Sequence, residues 1–361
     1  MERKELVQAY VDEIFSDMED DKRIVSYHHT GGVALLCSLF AKKRDLDSEL
    51  AYICGLLHDV YPPKGGVRFF HAVNGAEMVR AAFKNELKGL FTDEEQVFIC
   101  SAIFHHSDKT HLHDAYDEIL KDADLMQHWL LKSEKEKYIT LRMVNLQKEL
   151  SLPVSELPEK KPNRFFISAF KRSAFADIAE ELAYKPIRGE KADEDFMQII
   201  RYFPEKTAFN ELKNAWCAAF VFHCAITAGL KLPIRYAPTA NTRFACVEAW
   251  LEWGQKNGFC HWEKDGFIPE RGDIVIYNNL IPPENKPKDC PWYDHIGIVL
   301  DADGSTLTAA EGNVNNQNIS GIVERERKAH IGCFLRIPED YVWDGWKIDY
   351  KTGKPRQEEY E

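Results

Sequence analysis

Nine of the thirteen histidines (His28, His29, His58, His71, His105, His106, His111, His113 and His128) precede residue 130. The pair His58-Asp59 closes the apolar run Ile53-Cys-Gly-Leu-Leu57 and offers an imidazole nitrogen and a carboxylate oxygen where a helix would end. His29 and His71 open further apolar helical patterns, His106 ends the run Ile103-Phe-His105, and Asp124 lies within Ile119-Leu-Lys-Asp-Ala-Asp-Leu-Met126. Several helices that each bring one such ligand to a shared centre form a divalent-metal site. A metal held there acidifies bound water to hydroxide near neutral pH, and Asp59 is placed to position that water. Lys64 and Lys109 lie close in sequence to these ligands. Residue types alone leave His28 open against His29, His105 against His106, and Asp122 against Asp124.

A second chemistry rests on a cysteine. Asn214-Ala-Trp-Cys217-Ala-Ala-Phe220-Val-Phe-His-Cys224-Ala-Ile-Thr-Ala-Gly229 reads as a helix with Asn214 as N-cap and Gly229 just past its end. Cys217 falls in the first turn, where the helix dipole and unpaired backbone N–H groups favour a thiolate. Cys224, two turns deeper on the apolar stripe with Phe220, Val221 and Ala225, belongs to the core. A thiol nucleophile needs a base, and Asp294-His295-Ile-Gly-Ile-Val-Leu300 places His295 at the mouth of a strand. The next strand ends Ala309-Ala310-Glu311-Gly312-Asn313. Alternation puts Glu311 and Asn313 on one face, from which either reaches the imidazole across a hairpin and fixes its tautomer.

The elements that must position these residues differ between the two halves. From residue 3 to about 150 the apolar spacing is helical, as in Val33, Leu36, Cys37 and Phe40, or Met78, Val79, Ala82 and Phe83. Ser155-Glu-Leu-Pro158-Glu-Lys-Lys-Pro162-Asn breaks that periodicity and marks a linker. Beyond it come helices, with Phe175, Ile178, Ala179 and Leu182 at helical spacing. Short β runs follow, Asp273-Ile-Val-Ile-Tyr277, Ile296-Gly-Ile-Val-Leu300 and Ser305-Thr-Leu-Thr-Ala309, the last two joined by a hairpin turn at Asp301-Ala-Asp-Gly304. The expected fold class is multi-domain: an all-α bundle over 1–152, a linker over 153–164, an α+β domain with an antiparallel sheet over 165–340, and a charged tail over 341–361. The 361 residues suffice for two cores, and 46 Lys+Arg against 58 Asp+Glu leave a net charge of −12, which argues against a nucleic-acid polymer as partner. The first residues carry no apolar run behind their charges, and no stretch approaches about 18 uninterrupted apolar residues, so a cytoplasmic protein without a membrane partner is expected. The nine cysteines are scattered, mostly within apolar runs, and are expected to be reduced and mostly buried.

His29, Leu-Leu-His58-Asp59, His106 and Ala-Asp124 follow the H…HD…D order of HD-domain metal-dependent phosphohydrolases, which residues 20–130 resemble. The resemblance implies that His29, His58, Asp59 and Asp124 are metal ligands. It also favours the second member of each competing pair. His29 keeps the family's four-residue step to apolar Val33, Ser107 follows His106, and Ala123 precedes Asp124. His71-Ala-Val-Asn-Gly75-Ala76, with His106-Ser-Asp-Lys109, resembles the extra histidines of the binuclear branch, which includes bacterial dinucleoside-tetraphosphate hydrolases. Six ligands would then hold two divalent metal ions, a set that suits Fe, Mn, Zn or Ni alike. The resemblance also implies that such ions stabilise phosphoryl oxygens in a transition state, with Lys64 and Lys109 as candidates for holding a second phosphate.

Trp216-Cys217-Ala-Ala-Phe-Val, Arg271-Gly-Asp-Ile-Val275, His295-Ile-Gly-Ile-Val and Glu311-Gly-Asn313 resemble the CHAP (cysteine, histidine-dependent amidohydrolase/peptidase) superfamily of papain-like enzymes, over 165–340. That resemblance implies Cys217 as nucleophile, His295 as general base, Glu311 and Asn313 as orienting groups, and the Cys217 N–H as part of an oxyanion hole. The two resemblances together imply a bifunctional hydrolase acting on a small-molecule phosphate, such as a nucleotide, and on an amide or peptide. Two rivals are a regulatory protein with one half that senses a ligand without turning it over, and a cell-wall (peptidoglycan) lytic enzyme with an accessory helical half. The filled set of ligand positions favours catalysis, because a retired site loses ligands without penalty.

Overall fold

The computed structural model describes residues 2–131, 135–157, 170–278, 280–281 and 294–355. The chain divides into two units, one made of Met1–Phe165, Ala237–Thr239 and Asp344–Glu361, the other of Phe166–Tyr236 and Ala240–Trp343. The linker prolines Pro158 and Pro162 lie outside the described residues.

The first unit is helical, as its periodicity predicts: α1 (Arg3–Ser16), α2 (Asp20–Lys43), α3 (Ser48–Leu57), α4 (Tyr61–Gly65), α5 (His71–Ala82), α6 (Asp93–His105), α7 (Ala115–Leu131) and α8 (Leu141–Glu149). Short polar side chains set several starts. Asp47 accepts from the Glu49 and Leu50 amides ahead of α3, and Thr92 and Glu95 cap α6 reciprocally. The crossing of α2 and α3 is unusually close, because a Cβ on Gly55 would lie 2.5 Å from the Ala34 Cα. That approach fixes the distance between His29 on α2 and His58, which follows α3. By length and composition α2 is apolar enough to cross a membrane, yet Val33, Ala34, Cys37, Phe40 and Ala41 are buried within this unit.

The tail expected over 341–361 does not stand apart. From Asp344 it belongs to the first unit, where the Trp346 ring lies 5.9 Å from Phe70 and 6.2 Å from Phe104, and the Tyr350 ring 5.5 Å from Phe104. Aromatic residues in a charged segment found an apolar face to cover. Residues 356–361 lie outside the described ones.

The second unit contains α9 (Arg172–Tyr184), α10 (Glu194–Ile200), α11 (Ala208–Leu212), α12 (Cys217–Thr227), α13 (Val247–Lys256) and α14 (Arg327–His330). Its strands are β1 (Cys260–Trp262), β2 (Ile274–Tyr277), β3 (His295–Ala302), β4 (Thr306–Glu311), β5 (Gly321–Glu326) and β6 (Ile331–Leu335). They form a 6-stranded antiparallel sheet in the order β1-β6-β2-β3-β4-β5. This is the α+β arrangement expected, with Val275, Tyr277, Val299, Leu307, Ala309 and Phe334 in one buried cluster. The expected turn between β3 and β4 is present, with Asp303 Oδ1 accepting from the Ser305 and Thr306 amides. The helix carrying Cys217 starts later than its sequence suggests. Trp216, not Asn214, occupies the N-cap position, and no side chain caps it. Gly229 does follow its end, with φ of 91°. The described cysteines are all free thiols, buried except for Cys246 and Cys260, which are intermediate; Cys290 lies outside the described residues.

Candidate metal centre and thiol site

Four histidines of the first unit are oriented by the same device. His58 Nδ1 donates to the Gly55 carbonyl at 2.7 Å, His106 Nδ1 to Ile103 at 2.7 Å, His71 Nδ1 to Arg68 at 2.9 Å, and His29 Nδ1 to Gln127 Oε1 at 2.7 Å. With its proton committed at Nδ1, each ring presents the Nε2 lone pair inward. Those lone pairs meet: Nε2 of His29 and His58 are 3.1 Å apart, and Nε2 of His71 and His106 are 3.0 Å apart. Two lone pairs at that distance repel unless a cation lies between them.

Asp59 joins the two groups. Its Oδ2 lies 3.6 Å from His29 Nε2 and 3.5 Å from His58 Nε2, while Oδ1 lies 3.4 Å from His71 Nε2 and 3.7 Å from His106 Nε2. Asp59 Oδ1 is buried and has no hydrogen-bond partner among the described residues. Asp124 Oδ1 completes the first group, 3.4 Å from His29 Nε2. A buried, unpartnered carboxylate oxygen facing inward lone pairs suits a divalent cation, so the residues present fit a metal. Protonation states agree. Burial holds His29 and His106 below the ordinary imidazole range, so they stay neutral. Burial alone would push the carboxyl of Asp59 up, but His58, His71 and His106 outweigh it and bring it to about 2; Asp124 is likewise well below its ordinary value, with Lys109 the main cause opposing burial.

The competing residues go elsewhere. His28 is exposed, Asp122 pairs with Arg44 and Arg142 at 2.7 Å each, and His105 Nδ1 meets Asp117 Oδ2 at 2.7 Å. The two candidate lysines differ in what they touch. Lys109 Nζ donates to Asp124 Oδ2 at 2.8 Å and to the carbonyls of His106 and Lys121, so its three donors are engaged. Lys64 is half-exposed and lies 3.6 Å from Asp17. One residue escaped the sequence reading. His128, one turn beyond Asp124 on α7, brings Nε2 to 3.3 Å from Asp124 Oδ1 and stacks on His29 at 4.7 Å. Its i,i+4 spacing from Asp124 was the available signal.

In the second unit, α12 and the β3–β4 hairpin bring Cys217, His295 and Glu311 together. His295 Nε2 lies 2.9 Å from Glu311 Oε2, and Cys217 is near enough to act on the charge of the ring. The approach depends on Gly297, where a Cβ would lie 2.9 Å from Glu311 Cγ. Burial works against a charge on His295, but Glu311 and then Cys217 outweigh it and raise the imidazole to about 10. Glu311 is itself held low, chiefly by His295 and Arg325 against its burial. Arg325 donates to Glu311 Oε2 at 2.6 Å and lies over the Tyr277 ring, which stacks on His295. Neither Arg325 nor Tyr277 was apparent from motif spacing.

Asn313 does not share the imidazole with Glu311. It follows the end of β4 in left-handed backbone (φ 53°), which breaks the strand alternation on which that expectation rested. Its Nδ2 donates instead to the Asn214 carbonyl at 2.9 Å, while Asn318 Oδ1 accepts from Trp216 Nε1 at 3.0 Å. The asparagine-rich loop thus anchors the turn that delivers Cys217, and it occupies the carbonyl of Asn214 in doing so.

An HD-domain family model matches residues 26–128, and a CHAP-domain family model matches residues 209–313. The chain therefore carries an HD domain followed by a CHAP domain, in the order expected. The inward histidines, Asp59 and Asp124 fall within the first match, and Cys217, His295, Glu311 and Asn313 within the second. No curated protein and no solved structure matches the chain.

Proposed function

We propose that the protein is a bifunctional hydrolase: a binuclear HD-type phosphohydrolase of a nucleotide or similar small phosphate ester, and a thiol amidase or peptidase. The first activity rests on one observation, the convergence of four Nε2 lone pairs on the Asp59 carboxylate, two at each oxygen, with Oδ1 left unpartnered among the described residues. His29, His58 and Asp124 would hold one divalent ion, His71 and His106 a second, with Asp59 shared. Such ions, when bound, acidify water and neutralise charge on phosphoryl oxygens. The protein's own part is to keep the imidazoles aimed, and Lys109 to hold Asp124 by its other oxygen.

For the second activity, His295 holds its proton beside Glu311 and Cys217, and Cys217 acts as a thiolate nucleophile. The thiolate attacks the amide carbon, and His295 then gives its Nδ1 proton to the leaving nitrogen. In the second step His295 takes a proton from water, which displaces the thiolate and releases the acid. Glu311 fixes the ring throughout.

A single assay tests the phosphohydrolase. Protein loaded with manganese is incubated with dinucleoside polyphosphates and with bis(p-nitrophenyl) phosphate. Turnover in wild type and Cys217→Ala, abolished in Asp59→Ala, is the expected result; equal turnover by Asp59→Ala would refute the assignment.

A further inference from the structure

Three histidines of the cluster, His105, His111 and His113, take no part in the metal centre, and two of them hold the C-terminal segment. His105 Nε2 donates to the Ile348 carbonyl at 2.9 Å and His113 Nε2 to the Trp346 carbonyl at 3.0 Å. The two imidazoles stack on each other at 3.7 Å, and His105 is braced behind by Asp117, itself bound by Ser101. This is a built, buried seat for one stretch of backbone, residues 344–350.

The seat touches the ligands of one metal subsite. His105 immediately precedes His106, and Phe104 of the same turn packs on Trp346 and Tyr350. On the other flank, Trp346 packs on Phe70, which immediately precedes His71. Phe70 holds a left-handed backbone (φ 53°) at the start of α5, a conformation strained for a bulky residue that persists only where its surroundings impose it. The Phe70 and Phe104–His105 contacts therefore fall within one or two residues of His71 and His106, the two histidines assigned to the second metal.

We infer that the segment 344–350 is a positioning element for the second metal subsite: it holds His71 and His106 in register with Asp59, and displacing it empties that subsite while leaving the first filled. The inference rests on the binuclear reading above. Trp346 acts through Phe70 and Phe104, and touches no ligand itself in this scheme.

The test uses the full chain, Trp346→Ala, Trp346→Phe, and a chain ending at Trp343. Each is loaded with manganese and desalted. Metal per chain is measured beside the thermal melt and the electron paramagnetic resonance signal of a spin-coupled manganese pair. Wild type and Trp346→Phe are expected to hold two coupled ions, and Trp346→Ala and the shortened chain one uncoupled ion with a cooperative melt. Two coupled ions in Trp346→Ala would overturn the inference, as would loss of both ions from a variant that still melts cooperatively. If the shortened chain does not melt cooperatively, the Trp346 pair decides. A wild type that takes up no manganese would instead strike down the binuclear reading beneath it.

Discussion

His295 binds its proton more tightly in the folded chain than in the unfolded one, and that fixes the sign of its pH dependence. Its contribution to stability is fully present below the ordinary imidazole value of about 6.5 and is lost as pH rises through about 10. Glu311, held low, contributes above about 4.3 and loses that contribution as pH falls. Glu311→Gln is expected to flatten the alkaline limb of a Tm-against-pH curve, to cost about 3 kcal/mol, and to slow iodoacetamide alkylation of Cys217 at pH 6 by about tenfold or more. An unchanged alkylation rate would remove Glu311 from the site. Lys109→Ala is expected to weaken metal binding about tenfold, because Asp124 loses the donor at 2.8 Å, with little change in KM for a phosphate substrate. A rise in KM alone would restore Lys109 to substrate binding. The inward residues were singled out in the sequence because His58 and His106 follow apolar helical runs, His71 opens one, and His29 and Asp124 lie within others. The role of Lys109 was not, since proximity in sequence to His106 says nothing of where three ammonium protons go.

Close approach of elements sets both sites, and two glycines permit it. Gly55→Ala places a methyl 2.5 Å from the Ala34 Cα, so α2 and α3 must separate. The variant is expected to lose about 1–3 kcal/mol and, by parting His29 from His58, to bind metal less tightly. A variant with wild-type melt and wild-type affinity would show the crossing to be looser than it stands. Gly297→Ala crowds Glu311 Cγ at 2.9 Å and is expected to slow Cys217 alkylation at pH 6 with a smaller loss of stability. Helices and strands were readable from periods of three to four and of two. The N-cap at Asn214 and the shared face of Asn313 were misread for separate reasons. The helix starts only at Cys217, with the Asn214 carbonyl taken by Asn313 Nδ2 across 99 residues of sequence, and a left-handed residue after β4 ends the alternation.

At the scale of the whole molecule, each site is assembled within one unit. His29, His58, Asp59, His71, His106 and Asp124 all belong to the first, and Cys217, His295, Glu311 and Arg325 to the second. The two chemistries are therefore expected to fail separately: Cys217→Ala keeps its metal, and Asp59→Ala keeps its rate of thiol alkylation. The division into a helical and an α+β half was plain from the change of period. The return of residues 344–350 to the first unit was not, because it depends on two carbonyl contacts and a few rings far apart in the chain. The most direct test of the metal centre is metal content per chain by elemental analysis, for wild type and Asp59→Ala purified without a metal-affinity tag. A binuclear centre predicts about two ions per wild-type chain and their loss from the variant. No ion in wild type, and none taken up on adding manganese or iron, would contradict it.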